Sequence, residues 1–396
     1  MITKLIVRNF KALDDFETQL MPFTALVGAN ACGKSTVLHA LDFIRSFATR
    51  DVEEYLRDRG WAFQDLKSGF GGSDKPICFK TLHSFTFGEE RITIDWSFSV
   101  DHDGHKWRVT ESITNTRTSE ALLDPDIFAL MDTQSSCLKF ITAEMGSKYE
   151  FHPAVFALKE FMENSSCFEL LSPDVMRTSG SRGSAEDIGI NGKQLAAFID
   201  KLNHAQKAEL NKFIGEYLGY PVDIRTEAGD RPGRVELSLV ETHPRSEITV
   251  KPPHMSDGLL RIMAFAAISV QDKAYNTINT RRENAPGGLL LLDEIEDGLN
   301  HYHAENLLET FKKIVQESNR QIIVTTHSPV LLNYADPSEI IFMWRAEDGR
   351  VHSKPLFSTD EMADTLDSFN PGEVWLNYSR NELLELLNPS RQGDSR

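Results

Sequence analysis

The 396-residue sequence has no apolar run of the roughly 18 residues that a membrane-spanning helix requires, so no helical anchor is expected. Cysteine is scarce: Cys32, Cys78, Cys137 and Cys167 are all there is, and none stands in a Cys-x-x-Cys pair. That argues against a zinc site and a disulfide framework, and fits a reducing cytoplasm. Positive charge is also short, with 42 Lys and Arg against 59 Asp and Glu and a formal net charge of −17. That argues against a surface that coats nucleic acid broadly. Arg177, Arg182 and Lys193, or Arg225, Arg231 and Arg234, would make a local track only if they cluster in space; singly they read as a solvated face. There is no internal repeat, no low-complexity tract and, between Lys34 and Ser256, no sustained heptad run of the kind a coiled-coil arm needs. What is present is a hydrophobic fraction of 40% and an aromatic fraction of 9%, enough for a sizeable core and two or three domains.

Residues 1–10 carry a strand pattern, not that of a signal peptide. Residues 5–7 and 23–27 read as short strands, followed by a Gly-rich turn and an apolar helix over about 35–48. Residues 68–73 are a loop. Residues 91–100 alternate as a strand, Asp101-His102-Asp103-Gly104 supplies a turn, and 107–114 return, which makes an antiparallel hairpin. Residues 121–220 read mostly helical, broken at Pro153, Pro173 and 180–183. Residues 235–240 alternate again, and Ser256 opens a long helix reaching about Arg281. Residues 288–293 and 321–326 are buried parallel strands with a helix over 304–318 between them. The chain divides as 1–120, a first lobe with the hairpin; 121–234, a mostly helical insertion; and 235–396, a second lobe.

Gly28-Ala29-Asn30-Ala31-Cys32-Gly33-Lys34-Ser35 fits G-x-x-x-x-G-K-[ST] between a strand and a helix. In that pattern backbone N–H groups of the loop and the helix start point at phosphate oxygens. Lys34 neutralises the β- and γ-phosphates, and the Ser35 hydroxyl joins the shell of Mg2+. Leu289-Leu290-Leu291-Leu292-Asp293-Glu294 is a buried strand that ends in two carboxylates. Asp293 is expected to hold Mg2+, directly or through water, and Glu294 to polarise the attacking water as general base. Thr325-Thr326-His327-Ser328-Pro329 ends the next strand, where His327 can donate to the γ-phosphate and the catalytic water. Met255-Ser256-Asp257-Gly258 precedes the long helix, so Ser256 and the N–H groups of the helix start offer another anion site. One chain then carries two phosphate-binding surfaces for one nucleotide. The economical resolution is a two-fold dimer in which Ser256 of one chain closes on ATP held by the other.

Together these motifs resemble the Walker A, signature, Walker B, D-loop and H-loop of ABC-type ATPase heads. The similarity is to the SMC, RecF and OLD branch, which opens with a strand and Asn-Phe-Lys/Arg, as Asn9-Phe10-Lys11 does. More narrowly, the chain resembles bacterial AAA-type, RecF-like anti-phage defence ATPases that lack a Toprim domain. Those share Ser-Asp-Gly in the signature, Leu-Asp-Glu-Ile-Glu before the D-loop, and Thr-Thr-His-Ser-Pro. The likeness covers residues 1–70 and 235–345 well and the middle loosely. It implies an α/β fold, a P-loop NTPase of ABC-head type, with a mixed sheet, an antiparallel β lobe and a helical insertion. It implies an ATP phosphohydrolase that uses ATP and Mg2+. Asn30 should contact the γ-phosphate side and Thr36 the α-phosphate; Lys11, Asp257 and Gly258 join the nucleotide-binding set. Asp297 should be the D-loop acid across a dimer, and Gln64 the Q-loop ligand for Mg2+ or water. The implied partners are a second copy through ATP-sandwiched heads, with higher oligomers open, and a separately encoded effector such as a nuclease. DNA is a further candidate, a membrane is not, and the location is cytoplasmic.

The pattern departs in three places. Ala31 stands where Asn-Gly-x-Gly has glycine, so it must tolerate the turn. Asp257 stands where transporter heads carry glycine and puts an acid near the partner's nucleotide. Asn300-His301 replaces the His-Pro of many relatives. The expected function is a dimeric ATP-hydrolysing switch that controls an effector or DNA, in phage defence or genome maintenance. The alternatives are the ATP-driven subunit of a membrane transporter and an OLD-like nuclease component. Against the first, the spacing from Ser256 to Asp293 is long for a transporter head; against the second, the stretch after His327 is short for a Toprim domain. His301 and His303 do not share a helix face and read as surface residues. Trp375, in Pro371-Gly372-Glu373-Val374-Trp375, resembles a tail element of the defence ATPases and has no role derivable from sequence.

Overall fold

The computed structural model describes residues 1–72, 74–123, 134–141, 151–168, 171–178, 180–181, 188–189, 191–278, 287–297 and 303–387. They form two compact units. Unit 1 gathers Met1–Ser166, Asn284–Leu291 and Asn319–Arg396; unit 2 gathers Cys167–Glu283 and Leu292–Ser318. Segments cut at 120 and 234 order the motifs along the chain, whereas the units are assembled from non-contiguous stretches.

Unit 1 holds two sheets. The first is antiparallel and made of β1 (Ile2–Arg8), β2 (Phe16–Gln19), β4 (Ile77–Phe87), β5 (Glu90–His102) and β6 (Trp107–Asn115), in the order β2-β1-β4-β5-β6. The expected hairpin is its β5–β6 pair, closed at His102↔Trp107. Period-2 alternation sends Ile94, Trp96, Phe98 and Val100 of β5 inward. These rings meet the helix Lys34–Thr49: Phe47 stacks on Phe98 at 4.2 Å and Phe43 on Phe79 at 5.2 Å. The spacing of four puts Phe43 and Phe47 on one helix face, so the β lobe is the bed on which the helix after the phosphate loop lies.

The second sheet runs β15 (Val351–Pro355), β14 (Ile340–Arg345), β3 (Phe23–Val27), β13 (Gln321–Thr325), β12 (Leu289–Leu292). β3 is parallel to both β13 and β14, and β15 is antiparallel to β14. All five residues of β3 and of β13 are buried, which explains their continuous apolar runs. A polar residue in β13, Gln321, is fully buried and fully used. Its Oε1 accepts from Ile2 N (2.8 Å), and its Nε2 donates to Ile2 O (2.6 Å) and Met21 O (3.0 Å). One amide side chain thereby stitches β1 of the lobe to the central sheet.

β7 (Ser166–Phe168) lies where the chain leaves unit 1. In unit 2, β8 (Gly180–Ser181), β9 (Val222–Ala228) and β11 (Ser246–Val250) all pair antiparallel with β10 (Arg234–His243). The helices Leu195–Lys201, His204–Leu218, Asp257–Ile278 and Ala304–Ser318 complete it. Phe265 and Phe311 meet edge to face at 6.2 Å between the last two. The stretch expected to be mostly helical over 121–220 does contain helices, but also β7 and β8, and much of it lies outside the described residues. The strand expected over 235–240 is the middle of a three-strand meander, β9 to β11.

Candidate nucleotide-binding site

β3 ends at Val27 and the helix Lys34–Thr49 begins seven positions on, so Gly28 to Gly33 form the turn between them. Gly28 and Gly33 are forced: φ is 157° and 106°, and a Cβ on Gly28 would sit 2.3 Å from Met343 O. A Cβ on Gly33 would sit 2.9 Å from Val351 Cγ2. Ala31 takes φ 60°, so the missing glycine of the pattern is met by an alanine in the left-handed region. Cys32 is buried at the loop's base; burial pushes its thiol above the ordinary range, with Lys34 and Arg345 pulling the other way.

Lys34 is buried to 6% exposure, and its ammonium folds back over the loop. Nζ donates to Gly28 O (3.0 Å) and Ala29 O (3.3 Å) and lies 2.7 Å from His327 Nε2. An ammonium can only donate, so Nε2 is the acceptor and the imidazole proton is on Nδ1. The meeting follows from the sheet: β3 and β13 are parallel neighbours, with Thr325 opposite Leu26, so Gly28 and His327 leave the same edge. Ser328 then caps the helix Pro329–Tyr334, accepting from Leu331 N at 3.4 Å, which fixes the chain just beyond His327.

Ser35 and Thr36 are half-buried in the first turn of the loop helix. One turn further stands His39, and Lys11 reaches it: Lys11 Nζ is 3.3 Å from His39 Nδ1 and 3.3 Å from the centroid of the Trp61 ring. Burial, followed by the charge of Lys11, lowers the His39 pKa to about 3. Asn9 and Lys11 both adopt positive φ, and buried Asn9 is held by its side-chain bonds to Lys75 O (2.7 Å) and from Ser68 N (3.2 Å). The Asn9-Phe10-Lys11 opening thus turns the chain toward the loop helix. Gln64 lies exposed on the short helix Phe63–Leu66, whose Leu66 carbonyl accepts from Lys11 N (2.7 Å).

Unit 2 carries the other candidates. Asp293 and exposed Glu294 directly follow β12, the sheet neighbour of β13. Glu294 has φ 46°, a strained backbone for a side-chain-bearing residue, and Asp297 N closes the turn on Glu294 O at 3.0 Å. Asp297 pairs with Arg261 of the helix Asp257–Ile278 at 3.4 Å. Ser256 caps that helix, accepting from Leu259 N at 3.2 Å, and both Ser256 and Asp257 are exposed while Gly258 is buried. Asp257 is not a bare acid: Arg177 Nη2 lies 2.5 Å from its Oδ1 and donates to Met255 O at 3.0 Å, while Nη1 reaches Asp174 at 2.9 Å. Sequence reading missed this partner, since the two residues are 80 positions apart. Arg177 is therefore no element of a free basic track, and neither is Arg225, paired with Asp223 at 2.7 Å. Arg182 and His301 lie outside the described residues, and His303 packs on Tyr217 at 4.2 Å.

A buried parallel strand, a glycine-pinned loop, and a lysine and histidine meeting over it define a P-loop NTPase of the ABC-head type. The family described as "AAA domain, putative AbiEii toxin, Type IV TA system" matches residues 23–333, and the chain belongs to that family. A stretch of 44 residues is 46% identical to an OLD nuclease of Thermus scotoductus, covering 11% of this chain and only 8% of that protein's length. Among solved structures, the SmcHead bound to the C-winged helix domain of ScpA aligns with a TM-score of 0.50 at 19% identity, covering 89% of this chain and 96% of that one. The SMC head domain from Thermotoga maritima aligns with a TM-score of 0.46 at 15% identity, covering 89% and 98%. The likeness to the SmcHead is one of fold, and it is the fold expected from the motifs. The SMC and OLD members of the expected branch are both represented. Among the described residues no helix is long and apolar enough to cross a membrane.

Proposed function

We propose that this protein binds and hydrolyses ATP with Mg2+ as a dimer of heads, and that closing and opening of the dimer controls a separately encoded effector or DNA. The observation that carries the reading is the meeting of Lys34 Nζ and His327 Nε2, 2.7 Å apart, over a loop whose Gly28 and Gly33 admit no side chain. Loop amides at a helix start beside a fixed cation are what a polyphosphate requires. Residues 28–36 bind the phosphates, Asn30 toward the γ end and Thr36 toward the α end. Lys11, which reaches His39 one turn along the loop helix, joins the nucleotide-binding set. His327 donates to the γ-phosphate once Lys34 exchanges its bond to Nε2 for phosphate oxygen and the ring takes up a proton at Nε2. Glu294 polarises the attacking water.

The donor set suits Mg2+. Among the described residues no cluster of three His, Cys, Asp or Glu forms a cage, and Mg2+ characteristically takes one or two protein oxygens, waters and substrate phosphates. Ser35, Asp293 and Gln64 are the protein oxygens proposed; bound there, the ion would neutralise charge on the β- and γ-oxygens.

Ser256, Asp257 and Gly258 serve the nucleotide of a second copy, with Asp297 at the same seam. Exposure of the Ser256 cap supports a surface that meets a partner. The family description, naming a toxin of a toxin–antitoxin system, and the OLD nuclease relative support phage defence or genome maintenance over transport. With a net charge of −17, any DNA binding is local and dependent on ATP.

Mixed dimers test the whole reading. Lys34→Ala should lose ATP binding. Ser256→Arg should keep it and lose ATP-driven dimerisation and hydrolysis. Mixing the two leaves one complete composite site per dimer and should recover hydrolysis above either alone. Wild-type turnover by Ser256→Arg alone removes the trans site; unchanged ATP affinity in Lys34→Ala removes the loop assignment.

A further inference from the structure

A cavity in unit 1, of about 510 Å³, is walled by loop residues 29–32, the end of β14 and the helices Pro371–Asn377 and Arg380–Leu387. Its apolar side is aromatic. Buried Phe342 stacks on Trp344 at 5.5 Å and meets Trp375 at 5.9 Å and 64°, while Trp344, Trp375 and Tyr378 keep part of their rings accessible. Its polar side is cationic. Arg345 and Arg380 are exposed, and the Arg380 guanidinium donates to the Arg345 carbonyl, which holds one over the other's backbone. Among the described residues no carboxylate lines the cavity, and neither arginine makes an ion pair with one.

In a chain of net charge −17, an acid-free pocket of three accessible aromatic rings and two arginines selects its ligand by chemistry. Accessible indole and phenol faces stack planar rings, and a guanidinium adds cation–π attraction and a fork for phosphate. The volume is that of a small-molecule site, which holds roughly 300–1,000 Å³. At about 510 Å³ it suits one unit and not a run of them.

We propose that this cavity takes a single nucleotide unit, its base stacked against Trp344 and Trp375 and its phosphate on Arg345 and Arg380. The unit is distinct from the nucleotide on residues 28–36. It arrives either as a free nucleotide or as the end of a nucleic-acid strand, and the chemistry of recognition is the same. The shared wall gives the site a route to the ATPase: Ala29 to Cys32 line the cavity and belong to the phosphate loop, and the Arg345 charge is felt at the Cys32 thiol.

Isothermal titration of the full chain with AMP, and separately with a 5′-phosphorylated hexadeoxynucleotide, tests this. Both are run in the wild type and in Lys34→Ala, which disables the phosphate loop. Binding should persist in Lys34→Ala and weaken about tenfold or more when Arg380→Glu or Trp375→Leu is added. Trp375 packs on Phe342, so the exposed Arg380→Glu carries the test if Trp375→Leu fails to fold. AMP binding identifies the free nucleotide as sufficient; binding of the oligonucleotide alone identifies a strand end. No binding of either in the millimolar range, or binding unmoved by Arg380→Glu, overturns the proposal. ATP affinity of the wild type, read in parallel, reports the phosphate loop separately.

Discussion

Arg177 Nη2 lies 2.5 Å from Asp257 Oδ1, at the first residue of the helix Asp257–Ile278. The pair answers the oddity of an acid in the signature. A carboxylate at a helix start suits the helix dipole but repels a phosphate brought to the same place. The guanidinium, itself shared with Asp174, offsets that charge. Asp257 is 65% exposed, so the pair adds little to folding stability, and its worth is in the local potential.

Arg177→Ala should therefore leave ATP binding by the single chain intact and weaken ATP-driven dimerisation severalfold. The loss should shrink at high salt, as an exposed charge effect must. Asp257→Ser in the same chain should restore dimerisation. Sedimentation with ATP in a Glu294→Gln background reads this, and equal dimer affinity in wild type and Arg177→Ala would refute it.

Opposite responses are expected at two positions of the phosphate loop. Ala31 is exposed with φ 60°, a conformation that costs an L-residue about 1–2 kcal/mol, against roughly 0.5–1 kcal/mol for the extra unfolded freedom of glycine. Ala31→Gly should stabilise the protein by about 0.5 kcal/mol with ATP affinity unchanged. Gly28→Ala should do the reverse, since its Cβ would meet Met343 O at 2.3 Å and Cys32 Sγ at 2.6 Å. A loss of about 2 kcal/mol or more, as for overpacking and strain together, is expected in urea unfolding. A destabilised Ala31→Gly would mean that the alanine methyl has a packing role.

Both chemistry and fold class were legible where a motif is short and continuous. Residues 28–35, the run 289–294 and residues 325–329 each declare themselves because strand, turn and functional group are adjacent in sequence. The lobe was half legible: the β5–β6 alternation is clear, whereas β4 carries Lys80, His83 and Ser84 among its apolar residues and hides its period. His83 is fully buried and bonded to Thr81 at 2.8 Å, a polar pair that only the packed sheet makes affordable. The Arg177–Asp257 pair, the Lys11–His39–Trp61 cluster and the Gln321 stitch were not legible, since each joins residues far apart in the chain. Nor were the units, because Asn319–Arg396 returns to the N-terminal lobe.

Acidification should destabilise the protein through His39. Its folded pKa is lowered to about 3, first by burial and then by Lys11, while the unfolded chain titrates near 6.5. Between those values the unfolded state binds more protons, so stability is full above about pH 6.5 and falls as pH drops toward 3. The slope approaches 1.4 kcal/mol per pH unit within that window. Asp42, held low by Arg45 and Arg59 against its burial, adds loss in the same sense only below its ordinary range. Glu111, raised by burial, acts in the opposite sense. His39→Gln keeps an acceptor for Lys11 without the titration, so its melting temperature should vary less between pH 6.5 and 4.5. Parallel curves for the two proteins would place the titration elsewhere.

The tail helix Pro371–Asn377 gains a role from one glycine. A Cβ on Gly372 would lie 1.9 Å from Pro329 O and 2.6 Å from Asn333 Oδ1, and Gly372 N donates to that Oδ1 at 2.7 Å. The helix it presses on, Pro329–Tyr334, starts two positions after His327 and is capped by Ser328. Backbone this close cannot yield by a rotamer change, so Gly372→Ala must push the two helices apart. We expect a destabilisation of about 1–3 kcal/mol from overpacking. We also expect His327 to move relative to Lys34, with kcat falling more than ATP affinity, as the role proposed for the histidine in hydrolysis requires. Asn333→Ala is the control: it deletes the hydrogen bond without forcing the helices apart, and should cost stability with little change in kcat. Melting curves, ATP titration and turnover on the two variants separate the effects. If Gly372→Ala hydrolyses ATP at the wild-type rate once folded, the tail helix supports the fold alone and does not position His327.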